Sequence, residues 1–160
     1  ISFNEEVEIV QDYVKLMNMR QKEKVDLKIN VSDAAYYVQI PRFILQPIIE
    51  NSMIHGLNQS AGTILLEAHV KRNYFMIIID DNGQGMNEEN LNRLRKKLTI
   101  KLETPLEHNS KSFSGIGLSN VYERMRMTFG EAFQMEVNSS EGNGTKVIMC
   151  VSRGGNRPNV

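Results

Sequence analysis

Three clusters of residues in this chain have the types and spacing with which proteins do chemistry. The first is Glu50-Asn51, followed by His55-Gly56. Residues four apart share a helical face, so on a helix Asn51 and His55 point the same way. Their neighbours Ile48, Ile49, Ser52 and Met53 are mostly apolar, which sets the polar groups near a core. A buried carboxylate needs a partner or a metal. A carboxylate beside an amide oxygen could hold Mg2+ or its waters. A helix end with its polar face in solvent is the plainer alternative.

The second cluster is Asp81-Asn82-Gly83-Gln84-Gly85, directly after an apolar run. Its aspartate offers an acceptor at a strand end, a usual place for a ligand. Its glycines let a ligand approach the backbone. Asn-Gly by itself is also a turn signal. A calcium loop starting at Asp80 fails at Gln84 and again at Leu91, where a bidentate glutamate is required.

The third is Gly115-Ile116-Gly117-Leu118, opening a helix. Bare N–H groups at a helix start form an anion site, and glycine lets phosphate oxygens reach them. A dinucleotide fingerprint would need glycine where Asn120 stands, with a strand just before. No Gly-Lys-Ser/Thr stretch exists, so this is not a Walker-type loop. A flexible hinge explains the glycine pair equally well.

The elements that must position these clusters are legible from periodicity. Ser2-Phe3-Asn4-Glu5 has capping-box spacing, and Val7, Val10, Val14 and Met17 predict an amphipathic helix over residues 4–22. Val25, Leu27, Ile29 and Val31 alternate as a strand. Pro41 and Pro47 bracket the start of a second helix, running to His55 and stopped by Gly56. Alternation over residues 63–71 predicts a half-buried strand, with Arg72-Asn73 as a tight connection. The continuous apolar run from Tyr74 to Ile79 predicts a central strand buried on both faces.

Asn87 then caps a short helix bearing Leu91, Leu94 and Leu98, and residues 99–114 are polar and irregular. A long helix after Gly117 carries Leu118, Val121, Met125 and Phe129 on one stripe and stops at Gly130. Two last strands, near 132–138 and 145–152, flank the hairpin composition Ser140-Glu141-Gly142-Asn143-Gly144. Residues 153–160 read as a loose tail. Paired strands between helices imply an α/β (α+β) two-layer sandwich: a mixed, mostly antiparallel sheet with helices on one face.

Bulk properties set limits. The 160 residues fit one domain able to bury its own core, here taken as 1–152. Lys plus Arg equals Asp plus Glu at 19 each, so no basic surplus points to nucleic acid or to an anionic membrane. The lone Cys150 has no internal disulfide partner, which fits a reducing compartment. No apolar run is long enough to span a bilayer and no signal peptide is visible, but a chain starting at Ile1 reads as a fragment. His69 and His108 lack partners at zinc spacing, and core filling explains the nine methionines.

Together, and in this order, the clusters resemble the nucleotide-binding superfamily shared by histidine kinases, type II topoisomerases, mismatch-repair ATPases and the heat-shock chaperone ATPase, with its Bergerat-type fold. Glu50 to Gly56 looks like its asparagine box, Asp81 to Gly85 like its first glycine box, Gly115 to Leu118 like its second. Gly142-Asn143-Gly144-Thr145 resembles its last element. The stretch from Ile40 to Asn51, the segment Gly115 to Gly130 and the opening helix are most similar to sensor histidine kinases of the LytS and YesM type.

The resemblance implies a set of roles. Asp81 would accept from the adenine amino group, with Gly83, Gly85 and Met86 lining the adenine slot and Thr145 at the same end. Asn51 would bind Mg2+ on the phosphates of ATP, and His55 would lie near phosphate or ribose. Glu50 would position or deprotonate the attacking atom. Gly115, Ile116, Gly117 and Leu118 would supply hinge and backbone donors, and residues 99–114 the mobile lid. The γ-phosphoryl group would go to a histidine on an upstream dimerisation and phosphoacceptor segment, with a response regulator as the later partner. Such a domain would be cytoplasmic, the anchored part of a bacterial sensor lying elsewhere, with no membrane contact of its own.

Many relatives carry a cation just before the box histidine; here it is Ile54, and Lys111 in the lid is a candidate replacement. An ATP hydrolase or switch with Glu50 as base, and a catalytically degenerate nucleotide-sensing module, are the competing readings.

Overall fold

The computed structural model describes residues 1–100 and 116–154. Helix α1 (Phe3–Arg20) starts at the predicted capping box: Ser2 Oγ accepts from the Glu5 N–H at 3.3 Å, and Glu5 Oε2 accepts from the Ser2 N–H at 2.8 Å. Val7, Val10 and Val14 form its buried stripe. The helix ends at Arg20, short of residue 22. Near that end the Asn18 amide pairs with both the N–H and the carbonyl of Val25, each at 2.9 Å, and so ties the helix to the first strand.

That strand, β1 (Val25–Val31), is followed by a 3-10 turn at Asp33–Tyr37 and by α2 (Leu45–Asn51). The hairpin strands β2 (Gly62–Lys71) and β3 (Tyr74–Asp81) come next, then α3 (Glu88–Ile100) and α4 (Ile116–Phe129). A short 3-10 turn, Gly130–Ala132, leads into β4 (Phe133–Ser139) and β5 (Thr145–Ser152). The sheet order is β1-β2-β3-β5-β4, with only β1 and β2 parallel. The predicted two-layer sandwich with a mixed, mostly antiparallel sheet is therefore the fold.

Register aligns the core in rows across the sheet. Leu66, Ile79, Val147 and Val137 form one row; Val70, Phe75, Val151 and Phe133 form another. Phe3 of α1 meets Phe75 edge-on, with ring centroids 5.4 Å apart. Each large apolar side chain so buried contributes about 1.5–3 kcal/mol.

The helices cover one face only, and this corrects the expectation for β3. Phe75, Ile77 and Ile79 are buried, whereas Tyr74, Met76 and Ile78 on the other face are half-buried. The strand is central, but its apolar run reflects neighbouring strands rather than a second helical layer.

The second helix also differs from its prediction. Its α-helical part ends at Asn51, and Ser52–Gly56 widens into a π turn whose Ser52 carbonyl accepts from the Leu57 N–H at 2.7 Å. Helix α3 continues through Ile100 and so takes in the first two residues of the expected lid. The rest of that lid, with Lys111, lies outside the described residues, as do Gly115 of the third cluster and residues 155–160 of the expected tail. Helix α4 begins at Ile116, one residue earlier than Gly117.

Candidate functional site

Asp81 is the last residue of β3 and is 4% exposed. Its Oδ1 accepts from the Gly83 N–H at 3.0 Å and the Thr145 N–H at 3.3 Å, and the Ser52 side chain donates as well. Burial pushes its carboxyl pKa above the usual value; the hydrogen bonds from Gly83, Ser52 and Thr145 oppose this, and the neighbouring Asp80 charge adds to it. A carboxylate left poorly solvated is one whose free lone pairs favour a donor.

The loop after Asp81 is packed against the end of the π turn. A Cβ on Gly83 would lie 2.1 Å from the Gly56 carbonyl oxygen, so the two backbones touch where only glycine fits. Gly56 O accepts from the Gln84 N–H at 2.8 Å, and the Gln84 side chain donates to His55 O at 2.8 Å. Gln84 O in turn accepts from the Gly142 N–H at 2.7 Å, which draws in the β4–β5 hairpin. Gly85 takes φ +68° beneath the Ser140 carbonyl. The glycines therefore serve the crossing of three backbone segments first.

Asn51, at the end of α2, faces the first turn of α4: a Cβ on Gly117 would lie 3.2 Å from Asn51 Nδ2. That Nδ2 is buried and has no hydrogen-bond partner among the described residues. Such an orphan is costly unless a ligand completes it.

These elements enclose a cavity of about 380 Å³, within the range of small-molecule sites. Asp81, Gly85, Met86 and Thr145 line one part of it. Asn51, Ser52, His55 and Leu118 line another. The third wall is the face of α3 that bears Asn90, Arg93, Leu94 and Lys97, residues whose spacing puts them on one helical stripe. Arg93 also pairs with Glu89 at 3.0 Å.

The predicted residues Asn51, His55, Asp81, Gly85, Met86, Leu118 and Thr145 thus converge. Gly83 and Gly117 support the wall from behind through close packing. Ile116 starts α4, so its backbone belongs to the helix entrance. Glu50 does not line the cavity; it lies near Tyr13 of α1, whose hydroxyl pKa rises through burial and then through the Glu50 charge. One step along a helix is a rotation of about 100°, which turns Glu50 away from the face that Asn51 occupies.

Ser52, Gln84 and the α3 stripe were not singled out by sequence. The stripe was accessible from helical periodicity, whereas the contacts of Ser52 and Gln84 depend on long-range folding.

The family model for histidine kinase-, DNA gyrase B- and HSP90-like ATPases matches residues 37–154. The sensor protein LytS of Oceanobacillus iheyensis is 31% identical over 152 residues, covering 93% of this chain and 25% of that protein. The sensor histidine kinase YesM of Bacillus subtilis is 26% identical over 153 residues, covering 94% and 24%. The chain thus spans about a quarter of the length of the curated relatives it matches. Among solved structures, the catalytic domain of histidine kinase ThkA aligns with a TM-score of 0.64 at 15% identity, covering 96% of this chain and 93% of that one. The mycobacterial sensor histidine kinase MprB aligns at 0.63 and 12%, covering 96% of both.

Proposed function

The chain belongs to the family of histidine kinase-, DNA gyrase B- and HSP90-like ATPases, as an ATP-binding catalytic domain of the sensor histidine kinase kind, and from that premise we propose that it passes the γ-phosphoryl group of Mg-ATP to a histidine on an upstream segment. The observation that carries this reading is the convergence of Asp81, Thr145, Asn51 and the first turn of α4 on one cavity.

In this reading Asp81 accepts from the adenine amino group, and Gly85, Met86 and Thr145 flank the base. The phosphates run toward Asn51, His55 and the first turn of α4 at 116–118, since helix N-termini favour anions. Arg93 and Lys97 add positive charge to the same cavity. Ile54 is 36% exposed and does not line the cavity, so its lack of charge leaves the wall itself unchanged.

Among the described residues no group of His, Cys, Asp and Glu could hold a metal by itself. The amide oxygen of Asn51 is a hard donor of the kind Mg2+ takes, so this residue would suit an ion brought in with the phosphates. When bound, Mg2+ supplies charge neutralisation on the phosphates. Asn51 would hold it there.

Glu50, near Tyr13 of α1 and outside the cavity lining, is in this proposal the carboxylate that would orient an acceptor histidine arriving from the α1 side or take its proton. The same placement weighs against Glu50 as the base of an enclosed hydrolase. A response regulator would take the phosphoryl group from that histidine in the parent pathway. No helix among the described residues is long and apolar enough to cross a membrane. The likeness to sensor proteins is what supports placing the domain on the cytoplasmic side of an anchored sensor.

Titration with a fluorescent ATP analogue tests the site; absence of Mg-dependent binding at millimolar nucleotide would abandon the reading and leave a pure interaction module. Mixing the chain with a histidine-bearing segment and labelled ATP tests the transfer. Acid-labile phosphate on that segment is expected, whereas phosphate release alone would assign a hydrolase.

A further inference from the structure

Behind the Asp81 end of the cavity lies a hydroxyl that does not line it. Ser139, the last residue of β4, accepts from the Met86 N–H at 2.8 Å and donates to the Gly144 carbonyl at 2.8 Å. Its Oγ also lies 2.9 Å from Thr145 Oγ1. A hydroxyl carries one proton, and a carbonyl can only accept. The assignment that satisfies all three contacts places the Ser139 proton on Gly144 O. Thr145 must then donate its own proton to Ser139.

The consequence is directional. Thr145 Oγ1, with its proton turned away, presents only lone pairs to the cavity it lines. Asp81, a few bonds away through the Thr145 N–H contact at 3.3 Å, presents a carboxylate. The base end of the cavity is thus lined by two acceptors and favours a ligand edge that donates. The exocyclic amino group of a 6-aminopurine matches it; the 6-oxo group of hypoxanthine or guanine sets an acceptor against acceptors, and buried unpaired polar groups are strongly rejected.

We propose that Ser139 is a positioning residue for base selection: by holding the Thr145 proton it fixes Thr145 as an acceptor and sharpens the preference for 6-amino over 6-oxo purine nucleotides. This rests on the nucleotide-site reading above, but adds a residue outside the cavity and a discrimination that Asp81 does not carry alone.

The test compares ATP and inosine triphosphate, which differ at the base, by calorimetric titration of the full chain. The unaltered chain should prefer ATP. In Ser139→Ala the Thr145 hydroxyl is free to turn and donate, so the ATP-to-ITP affinity ratio should fall about tenfold, the size expected for relieving one buried mismatch. Ser139→Thr keeps the hydroxyl and should keep the ratio. A merely structural role would weaken both nucleotides equally and leave the ratio alone, and that result overturns the proposal.

Should Ser139→Ala fail to fold, Thr145→Val removes the same acceptor while Ser139 retains Gly144 and Met86. An unchanged ratio there overturns the proposal equally. If the unaltered chain binds neither nucleotide, the site reading falls and this inference with it; binding with an unmoved ratio in the variants sinks only the inference.

Discussion

Glu6 of α1 holds Phe43 at the entrance to α2: Glu6 Oε1 accepts from the Phe43 N–H at 2.6 Å, and Phe43 takes a left-handed backbone conformation there, φ +58°. The other oxygen, Oε2, accepts from the Ile44 and Leu45 N–H groups at 2.9 and 3.0 Å. Glu6 is fully buried. Its carboxylate thus caps a helix to which it does not belong, and matches the positive end of that helix's dipole. Glu6→Ala should cost about 3 kcal/mol in urea unfolding, because it strands buried donors. Glu6→Gln, which keeps one oxygen, should cost roughly half as much. A loss below about 0.5 kcal/mol for the alanine variant would show that water replaces the clamp.

Asp81 gives a pH dependence whose sign follows from its burial. Its carboxyl pKa lies above the ordinary value because of burial. A group raised in the folded state contributes stability that is present below its unfolded pKa and lost as pH rises through the folded one. The ligand-free chain should therefore lose part of its unfolding free energy across that acidic window. Asp81→Asn should remove that part of the slope, seen in thermal melts as a function of pH.

The same variant tests recognition. An amide at position 81 places a donor where the adenine amino group would donate. Asp81→Asn is expected to lower ATP affinity at least about tenfold, the cost of one mismatched buried hydrogen bond. Near-normal affinity in calorimetry would remove Asp81 from the base site.

The α3 wall should read charge rather than base. Lys97→Gln is expected to weaken ATP several-fold, about 0.5–1 kcal/mol for a partly exposed charge contact, and to leave adenosine binding unchanged. Equal losses for both ligands would place Lys97 beside the nucleoside instead.

Gly83 faces the Gly56 carbonyl so closely that a Cβ would lie 2.1 Å from its oxygen. Gly83→Ala must push two main chains apart, and should cost about 2 kcal/mol or more. Denaturant unfolding should show that loss together with weakened nucleotide binding, since Gln84 ties the same crossing to His55.

What was legible beforehand follows from the range of the interaction involved. The Ser2–Glu5 capping box, the Val7–Val10–Val14 stripe and the leucines of α3 are local, and periodicity places them correctly. The strand-end aspartate and the glycine pair before α4 were legible only through their combined order and spacing, since a turn or a hinge explains each alone. The π turn at Ser52–Gly56 was not, since it depends on Gln84 taking the Gly56 carbonyl from another part of the chain. Met76 and Ile78 misled because apolar content alone does not say how many layers cover a sheet. Glu6 carries no signal of its own beside Glu5 in the first turn of α1, and only folding brings it under Phe43.

That clamp also defines where the molecule can be cut. The carboxylate closing α2 comes from a segment well before β1, so a shorter piece starting at the sheet would begin its Asn51-bearing helix with bare donors in apolar surroundings. The opening helix is accordingly a working part of the cleft, and trimming it for expression would remove a wall support rather than a handle.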